Sequence, residues 1–341
     1  MNKSGKLWLG GVLLLALVTS GGCLKKGAVD SGMLDLDEGT FQMAGPFAHE
    51  NLTVYLIESD DQDDRDYITL DQGLKDGVVK VSEKAQAQVQ ELEIDNQSDR
   101  YLFLQEGDRI TGGQQDRIIT TSLVVPPKSG KMPLPSFCIE QSRWHGGIDF
   151  DATGNAALAP KDVRQAAKVD KEQGKVWDSV KGVKSMAVGG SVRAPNTNSS
   201  LNETLDSPQV KKLSDEFTAA LSDVLKEHPK AVGVAIVVNG KIEEVNIYPS
   251  HQLLGRLYPR LLQSYALQAA LTKDKAKDAE SVTVADIREF ITEGREKAKS
   301  SSQEVNGDNR LYLCDQDKKV ECQTQYAGKV VHQQWLAKPA D

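Results

Sequence analysis

Hydropathy changes character near residue 150, and this change constrains the fold more than any other feature of the sequence. Between Asn51 and Phe150 the apolar runs are short, and turn residues separate them. Runs of this kind are typical of strands. They cover residues 52–57, 78–81, 89–94, 101–104, 116–125 and 131–140. Because the runs follow one another closely, they favour an antiparallel, sandwich-like layer.

The second half mixes helices with strands. Apolar residues recur at helical spacing in 163–180, 210–224 and 253–271, with interruptions at Gly174 and Pro259. Ser207 followed by Pro208 predicts a helix start, as does Thr283. Strands are predicted at 231–238, 241–248, 311–315 and 320–324, with a loop at 189–205. The predicted fold class is therefore α+β: an N-terminal antiparallel β-sandwich-like layer followed by a mixed helix/strand half.

The first residues predict export. Lys3 and Lys6 precede the apolar run 7–18, which is too short to span a bilayer but suits a signal peptide. Small residues then lead to Cys23, as in the lipobox of bacterial lipoproteins, although Ser20 replaces the usual aliphatic residue. We expect Cys23 to carry a lipid; the alternative is a conventional signal that leaves it as a free thiol.

This reading divides the chain into three parts. Residues 1–22 are predicted as a lipoprotein signal peptide, 23–46 as a flexible tether, and 47–341 as the domain, with a β-rich part at 47–150 and an α/β part at 158–341. The protein is expected in the cell envelope, anchored by lipid to a bacterial membrane. Leu24 favours the outer membrane, because aspartate there is linked to inner-membrane retention. The net charge of −8 argues against nucleic-acid binding.

Four cysteines are too few for a disulfide-packed domain. Cys314 and Cys322 flank a predicted hairpin, and export permits a disulfide between them; two unrelated thiols on adjacent strands are the alternative. Cys138 is then left over, either as a small buried hydrophobe or as a nucleophile.

A polar cluster between residues 105 and 145 offers the strongest candidate site. Gly112 and Gly113 can expose backbone N–H groups as an anion nest. Arg117 and Arg143 can clamp a phosphate or carboxylate. A buried carboxylate can act as acid or base, and two candidates are present: Glu106 and Glu140. The alternative is structural: the glycines form a bulge or turn, and the charges form ordinary ion pairs.

The segments 104–117, 124–130 and 133–144 resemble the ARG and rhodanese-phosphatase-superfamily-associated protein domain (ARPP). Weaker similarity extends over most of 51–336, including 173–177 and 261–267. The resemblance implies an association with ADP-ribose or NAD-derived metabolites and no established reaction. The family pattern matches the following residues: Glu106, Gly107, Gly112, Gly113, Gln115, Asp116, Arg117, Glu140, Arg143 and Trp144. Export departs from this context, since NAD metabolism is mainly cytoplasmic.

The predicted function is a lipid-anchored module that binds an anionic or nucleotide-like small molecule, or a partner. One alternative is a hydrolase of a phosphorylated or ADP-ribose-like substrate, with Glu106, Glu140 or Cys138 as candidate catalytic groups. Another is a structural envelope lipoprotein. No cofactor or metal is predicted, because no nucleotide-binding glycine motif and no metal-ligand spacing of the five histidines is present.

Overall fold

The architecture was obtained as a computed structural model. It describes residues 41–88, 90–141, 147, 149–152, 158–189, 200–273, 281–294 and 298–339. The strands in this part of the chain are β1 (Gln42–His49), β2 (Leu52–Glu58), β3 (Tyr67–Thr69), β4 (Val79–Gln88), β5 (Glu91–Asn96), β6 (Tyr101–Leu104), β7 (Arg109–Gly112), β8 (Arg117–Ile119), β9 (Leu123–Val125), β10 (Lys131–Cys138), β11 (Phe150–Ala152), β12 (Ala231–Val238), β13 (Lys241–Ile247), β14 (Lys299–Asn306), β15 (Asn309–Asp315), β16 (Lys319–Tyr326) and β17 (Lys329–Ala337). The helices are α1 (Leu70–Lys75), α2 (Lys161–Gln165), which runs into a π-helical turn (Ala166–Asp170), α3 (Gln173–Gly189), α4 (Leu201–Asp206), α5 (Pro208–Leu221), α6 (His251–Thr272) and α7 (Val284–Thr292).

The largest sheet joins the two ends of the described chain. Its eight strands lie in the order β1-β2-β12-β13-β17-β16-β15-β14, and each neighbouring pair is antiparallel. β2 and β12 are apolar along most of their length because both faces of the sheet are covered there. One face packs on α5 and α6 through residues such as Val54 and Ile236, and α7 covers the other through Ile287 and Ile291.

Two smaller sheets occupy the region between residues 67 and 152. Six antiparallel strands lie in the order β11-β7-β8-β10-β5-β4, and a three-stranded sheet has the order β3-β6-β9. Ile94, Leu104 and Leu134 belong to a shared core between these sheets. The pairing of β3 with β6 is parallel, unlike the other ladders.

The α+β class and the sheet-rich first half are confirmed, but the two halves do not segregate. β2 pairs with β12, from the second half of the chain. Residues 116–125 form two strands in different sheets, β8 and β9, because residues 120–122 leave the ladder. β1 begins at Gln42, so the end of the predicted tether belongs to the large sheet; residues 23–40 lie outside the described part.

Local sequence signals predicted where several of the helices begin. Ser207 caps α5 with Pro208 in its first turn, and Thr283 forms a capping box with Asp286 at the start of α7. The predicted helix 163–180 is broken at Lys171, which adopts a left-handed conformation (φ 56°), rather than at Gly174. Pro259 lies inside α6, which continues past it. The predicted loop 189–205 contains the short helix α4.

Candidate functional site

Glu106, the first candidate catalytic carboxylate, lies two residues after the end of β6 and is fully buried. Arg164 Nη1 donates to its Oε1 at 3.2 Å, and Lys168 Nζ donates to its Oε2 at 2.8 Å. Its backbone N–H donates to Ser122 Oγ at 3.0 Å. Glu106 is therefore held between two basic side chains, which occupy both of its carboxylate oxygens.

Arg164 connects Glu106 to a second carboxylate. Its Nη1 and Nη2 donate to the two oxygens of Glu244 in β13, at 3.0 and 2.5 Å, which is the bidentate geometry that guanidinium groups favour. Lys168 also donates to Gln334 Oε1 at 2.6 Å. Glu106, Arg164, Lys168 and Glu244, which we call the buried charge cluster, are at most 1% exposed. The two positive and two negative groups balance.

The cluster strongly perturbs the ionisation of Glu244. Burial alone would raise its pKa, but the charge and hydrogen bonds of Arg164, together with hydrogen bonds from Tyr265 and Asn246, outweigh burial and lower the pKa to about 2. Glu244 is therefore ionised at neutral pH. A carboxylate in this state accepts hydrogen bonds but cannot donate a proton.

His332 lies beside the cluster. Its ring stacks on Tyr248 with centroids 4.8 Å apart, and its nitrogens lie 3.0 Å from Ser122 Oγ and 2.9 Å from Asn246 Oδ1. Burial, reinforced by the charge of Lys168, lowers its pKa well below the usual value. The imidazole is therefore neutral at physiological pH and serves as a buried hydrogen-bonding group.

Arg117, the predicted anion clamp, is fully buried and paired within the protein. Its Nη2 lies 3.0 and 3.3 Å from the two carboxylate oxygens of Glu83 in β4, and its Nη1 donates to Cys138 Sγ. The other predicted clamp residue, Arg143, and its neighbour Trp144 lie outside the described residues. A ligand role for Arg117 stays a prediction, but binding an anion there requires displacing or accommodating Glu83.

Close packing requires glycine at both Gly112 and Gly113. The Gly112 N–H donates to Asp116 Oδ1 at 3.2 Å and the Gly113 N–H to the Asp149 carbonyl at 2.9 Å, so both amides already have partners. A Cβ on Gly113 would lie 2.1 Å from the Phe150 ring. These glycines let β11 approach β7. An anion-binding role for their amides stays a prediction, and it would require the amides to leave their present partners.

Gln115, Asp116 and Glu140 form a second polar group around the end of β10. Gln115 Nε2 donates to the Glu140 carbonyl at 2.8 Å, and the Asp116 N–H lies 3.5 Å from Glu140 Oε2. Ser200 Oγ donates to Asp116 Oδ2 at 3.2 Å, which ties this group to the start of α4. The sequence-predicted residues therefore divide between two places, with Glu106 in the buried charge cluster and Arg117, Cys138 and Glu140 here.

Cys138 is buried, and burial raises its pKa to about 11, against the opposing effect of Arg117. Its thiol is protonated at neutral pH, whereas a nucleophilic cysteine needs the thiolate. Cys322 is also a free, buried thiol, so the predicted disulfide between Cys314 and Cys322 is wrong. In the ladder Cys322 pairs with Leu313 and Cys314 with Glu321; side chains one register step apart point to opposite faces. Cys23 lies outside the described residues.

A groove of about 850 Å³ lies at the face that α7 covers. Apolar side chains form much of its wall: Pro46, Ala48, Tyr55, Val237, Val282 and Val284. Polar side chains also line it: Glu50, Asn51, Asn239, Lys273 and Thr283. The Tyr55 hydroxyl donates to the Val282 carbonyl and so fixes one wall against the other. This volume is within the usual range for small-molecule sites.

Sequence reasoning missed Arg164, Lys168 and Glu244, and it missed the groove. A signal for the cluster exists, since Glu243-Glu244 interrupts an apolar hairpin and Arg164 and Lys168 lie one helical turn apart beside apolar residues. The groove left no comparable signal, because its walls come from strands and a helix far apart in the chain.

Among the described residues, no helix is both long and apolar enough to cross a membrane. No curated protein and no solved structure matches this chain. Residues 40–336 match the family described as ARG and Rhodanese-Phosphatase-superfamily-associated Protein domain, ARPP-1. This match covers most of the chain and includes the buried charge cluster, the Arg117–Glu83 pair and the groove. The chain therefore belongs to the ARPP-1 family.

Proposed function

We propose that this protein is an exported, lipid-anchored module that binds a small molecule in the groove between β1, β2, β12 and the start of α7. The groove itself carries the proposal, because it combines a suitable volume with an apolar wall and polar lining groups. Its lining suits a ligand with an apolar or flat body and a polar end. Nucleotide-like compounds have this character, in agreement with the metabolites that the family's associations suggest.

The buried groups favour binding over hydrolysis. Glu106 is enclosed by Arg164 and Lys168, and Cys138 is a protonated thiol beside Arg117. Both side chains are fully buried. A general base must reach the proton that it removes, and these groups contact protein instead. No described contact favours the hydrolase alternative.

A thermal-shift screen of the full chain tests the groove. The ligands are ADP-ribose, NAD, nucleotides and sugar phosphates; at 100 times its Kd a ligand adds about 2.7 kcal/mol to the free energy of unfolding. Ala48→Trp places an indole in the groove from an exposed position on β1, and Gln42→Trp is the matched control at the other end of the same strand. We expect Ala48→Trp to abolish a ligand-induced shift that Gln42→Trp retains. A shift that both variants retain would place the ligand elsewhere.

Lipid anchoring rests on the sequence of residues 1–23. We expect the full chain, expressed in a bacterium, to enter the detergent phase and to carry a lipid on its N-terminal peptide by mass spectrometry. Cys23→Ala should remove both signals. A mature chain whose N-terminus is not Cys23 would contradict this part of the proposal.

A further inference from the structure

We propose that His49, Glu50 and Glu216 form a binding site for a divalent transition metal of the Zn²⁺ class. One ligand atom from each residue, the imidazole nitrogen or a carboxylate oxygen, lies within 4.8 Å of the other two. His49 ends β1, Glu50 follows it in the turn, and Glu216 projects from α5. A metal here would join the edge of the large sheet to the helix that packs on it. The site adjoins the groove, because Glu50 also lines the groove, but His49 and Glu216 do not line it.

The His49 ring is placed as a metal ligand needs to be. Its Nε2 is shielded from solvent and has no hydrogen-bond partner in the described structure. Phe217, next to Glu216, meets the ring edge to face, with centroids 5.2 Å apart and planes at 90°. This contact fixes the orientation of the imidazole while leaving Nε2 directed at the carboxylates.

The distances suit a shared ion after small side-chain movements. Nε2 of His49 lies 3.6 Å from Oε1 of Glu216. Two ligands on a tetrahedral Zn²⁺, each about 2.1 Å from the metal, lie about 3.4 Å apart. The Glu216 side chain is 72% exposed, so it can adjust without disturbing the core. Imidazole nitrogen and carboxylate oxygen are both ligands that Zn²⁺ accepts, and three protein ligands leave one position for water.

Glu50 already has a partner, which the metal must share or displace. Lys273 Nζ lies 2.5 Å from Glu50 Oε1, and the Lys273 side chain is 55% exposed. Ion pairs as exposed as this one contribute little to stability. One Glu50 oxygen can stay with Lys273 while the other turns to the metal, because a carboxylate offers two oxygens.

Zn²⁺ titration of the metal-stripped full chain by calorimetry tests the site, with Co²⁺ as a spectroscopic substitute. We expect one ion per chain and a Co²⁺ spectrum without thiolate charge-transfer absorption, which separates this site from the cysteines. Glu216→Gln should weaken binding about tenfold or more, as losses of metal-site partners do, and His49→Ala should abolish it. Asp215→Asn, the same charge change at the neighbouring exposed position, is the matched control and should bind normally.

The variants also separate a metal site from a folding defect. Glu216→Gln changes an exposed side chain, so we expect its melting temperature without metal to equal that of the wild type. It therefore tests the site even if His49→Ala fails to fold. Absence of saturable Zn²⁺ binding in the wild type would overturn the proposal. So would binding that is the same in Glu216→Gln, His49→Ala and Asp215→Asn.

Discussion

Replacing Glu106 with glutamine tests whether this carboxylate is architectural or catalytic. The change keeps the shape of the side chain but removes its charge, so that Arg164 and Lys168 face Glu244 alone in a fully buried space. The three charges that remain in the cluster then sum to +1, whereas the four of the wild type sum to zero. Removing one partner of a buried ion pair typically costs about 3–5 kcal/mol, because the remaining charge is left uncompensated.

We therefore expect Glu106→Gln to lower the free energy of unfolding by about 3–5 kcal/mol. At about 2 °C per kcal/mol for a domain of this size, the melting temperature should fall by roughly 6–10 °C. Urea unfolding followed by circular dichroism measures the first quantity and a thermal melt the second. Glu93→Gln is the control, since Glu93 pairs with the exposed Lys131, and the loss should stay below about 1 kcal/mol.

A second variant tests the charge balance itself. Adding Lys168→Met to Glu106→Gln removes a positive charge as well, and the cluster again sums to zero. Residues in one ion-pair network couple by about 0.5–3 kcal/mol, so the double variant should lose less stability than the two single variants added together. Additive losses, or a Glu106→Gln protein as stable as the wild type, would refute the assignment of Glu106 to an architectural role.

Three further outcomes follow from the same structure. The pKa of Glu244 is about 2 in the folded protein, against an ordinary value of 4.5. Ionised Glu244 therefore stabilises the fold, and this contribution is complete above about pH 5. This contribution is lost as the pH falls through 2, so the urea midpoint should decline below pH 5 in the wild type. Gly113→Ala should destabilise the protein by about 1–3 kcal/mol more than Gly130→Ala, since both glycines have positive φ but only Gly113 lacks space for a Cβ. Cys138, with a pKa of about 11, should react with iodoacetamide at neutral pH only after unfolding, as followed by peptide mapping; rapid native labelling would contradict this.

Local elements were predictable because their signals are local. Ser207 with Pro208 and Thr283 with Asp286 stabilise helix starts through groups within a few residues of one another. Asn239-Gly240 forms the tight turn between β12 and β13, a local signal for a hairpin, because both residues adopt positive φ, 51° and 69°. The pairing of β2 with β12 connects residues some 180 positions apart, and no periodicity within either strand specifies that partner.

The sequence identified several residues of the candidate site but not how the fold arranges them. Glu106 was predicted as a candidate acid or base and Arg117 as part of an anion clamp. Their partners Arg164 and Glu83 lie 58 and 34 residues away. A carboxylate's role depends on what neutralises it and on whether solvent reaches it, and both depend on tertiary contacts. The groove shows the same limit, because its lining spans residues 46 to 284.

The glycines and charges of the family pattern are therefore better understood together than singly. Gly107 has a positive φ, and a Cβ there would lie 2.2 Å from Arg164 Cδ, so this glycine makes room for the arginine that pairs with Glu106. Gly113 makes room for Phe150 in the same way. In both places a glycine permits the close contact of two elements from different parts of the chain. Such a pattern specifies how the sheets and α2 meet, and the groove that we propose as the ligand site shares no residue with it.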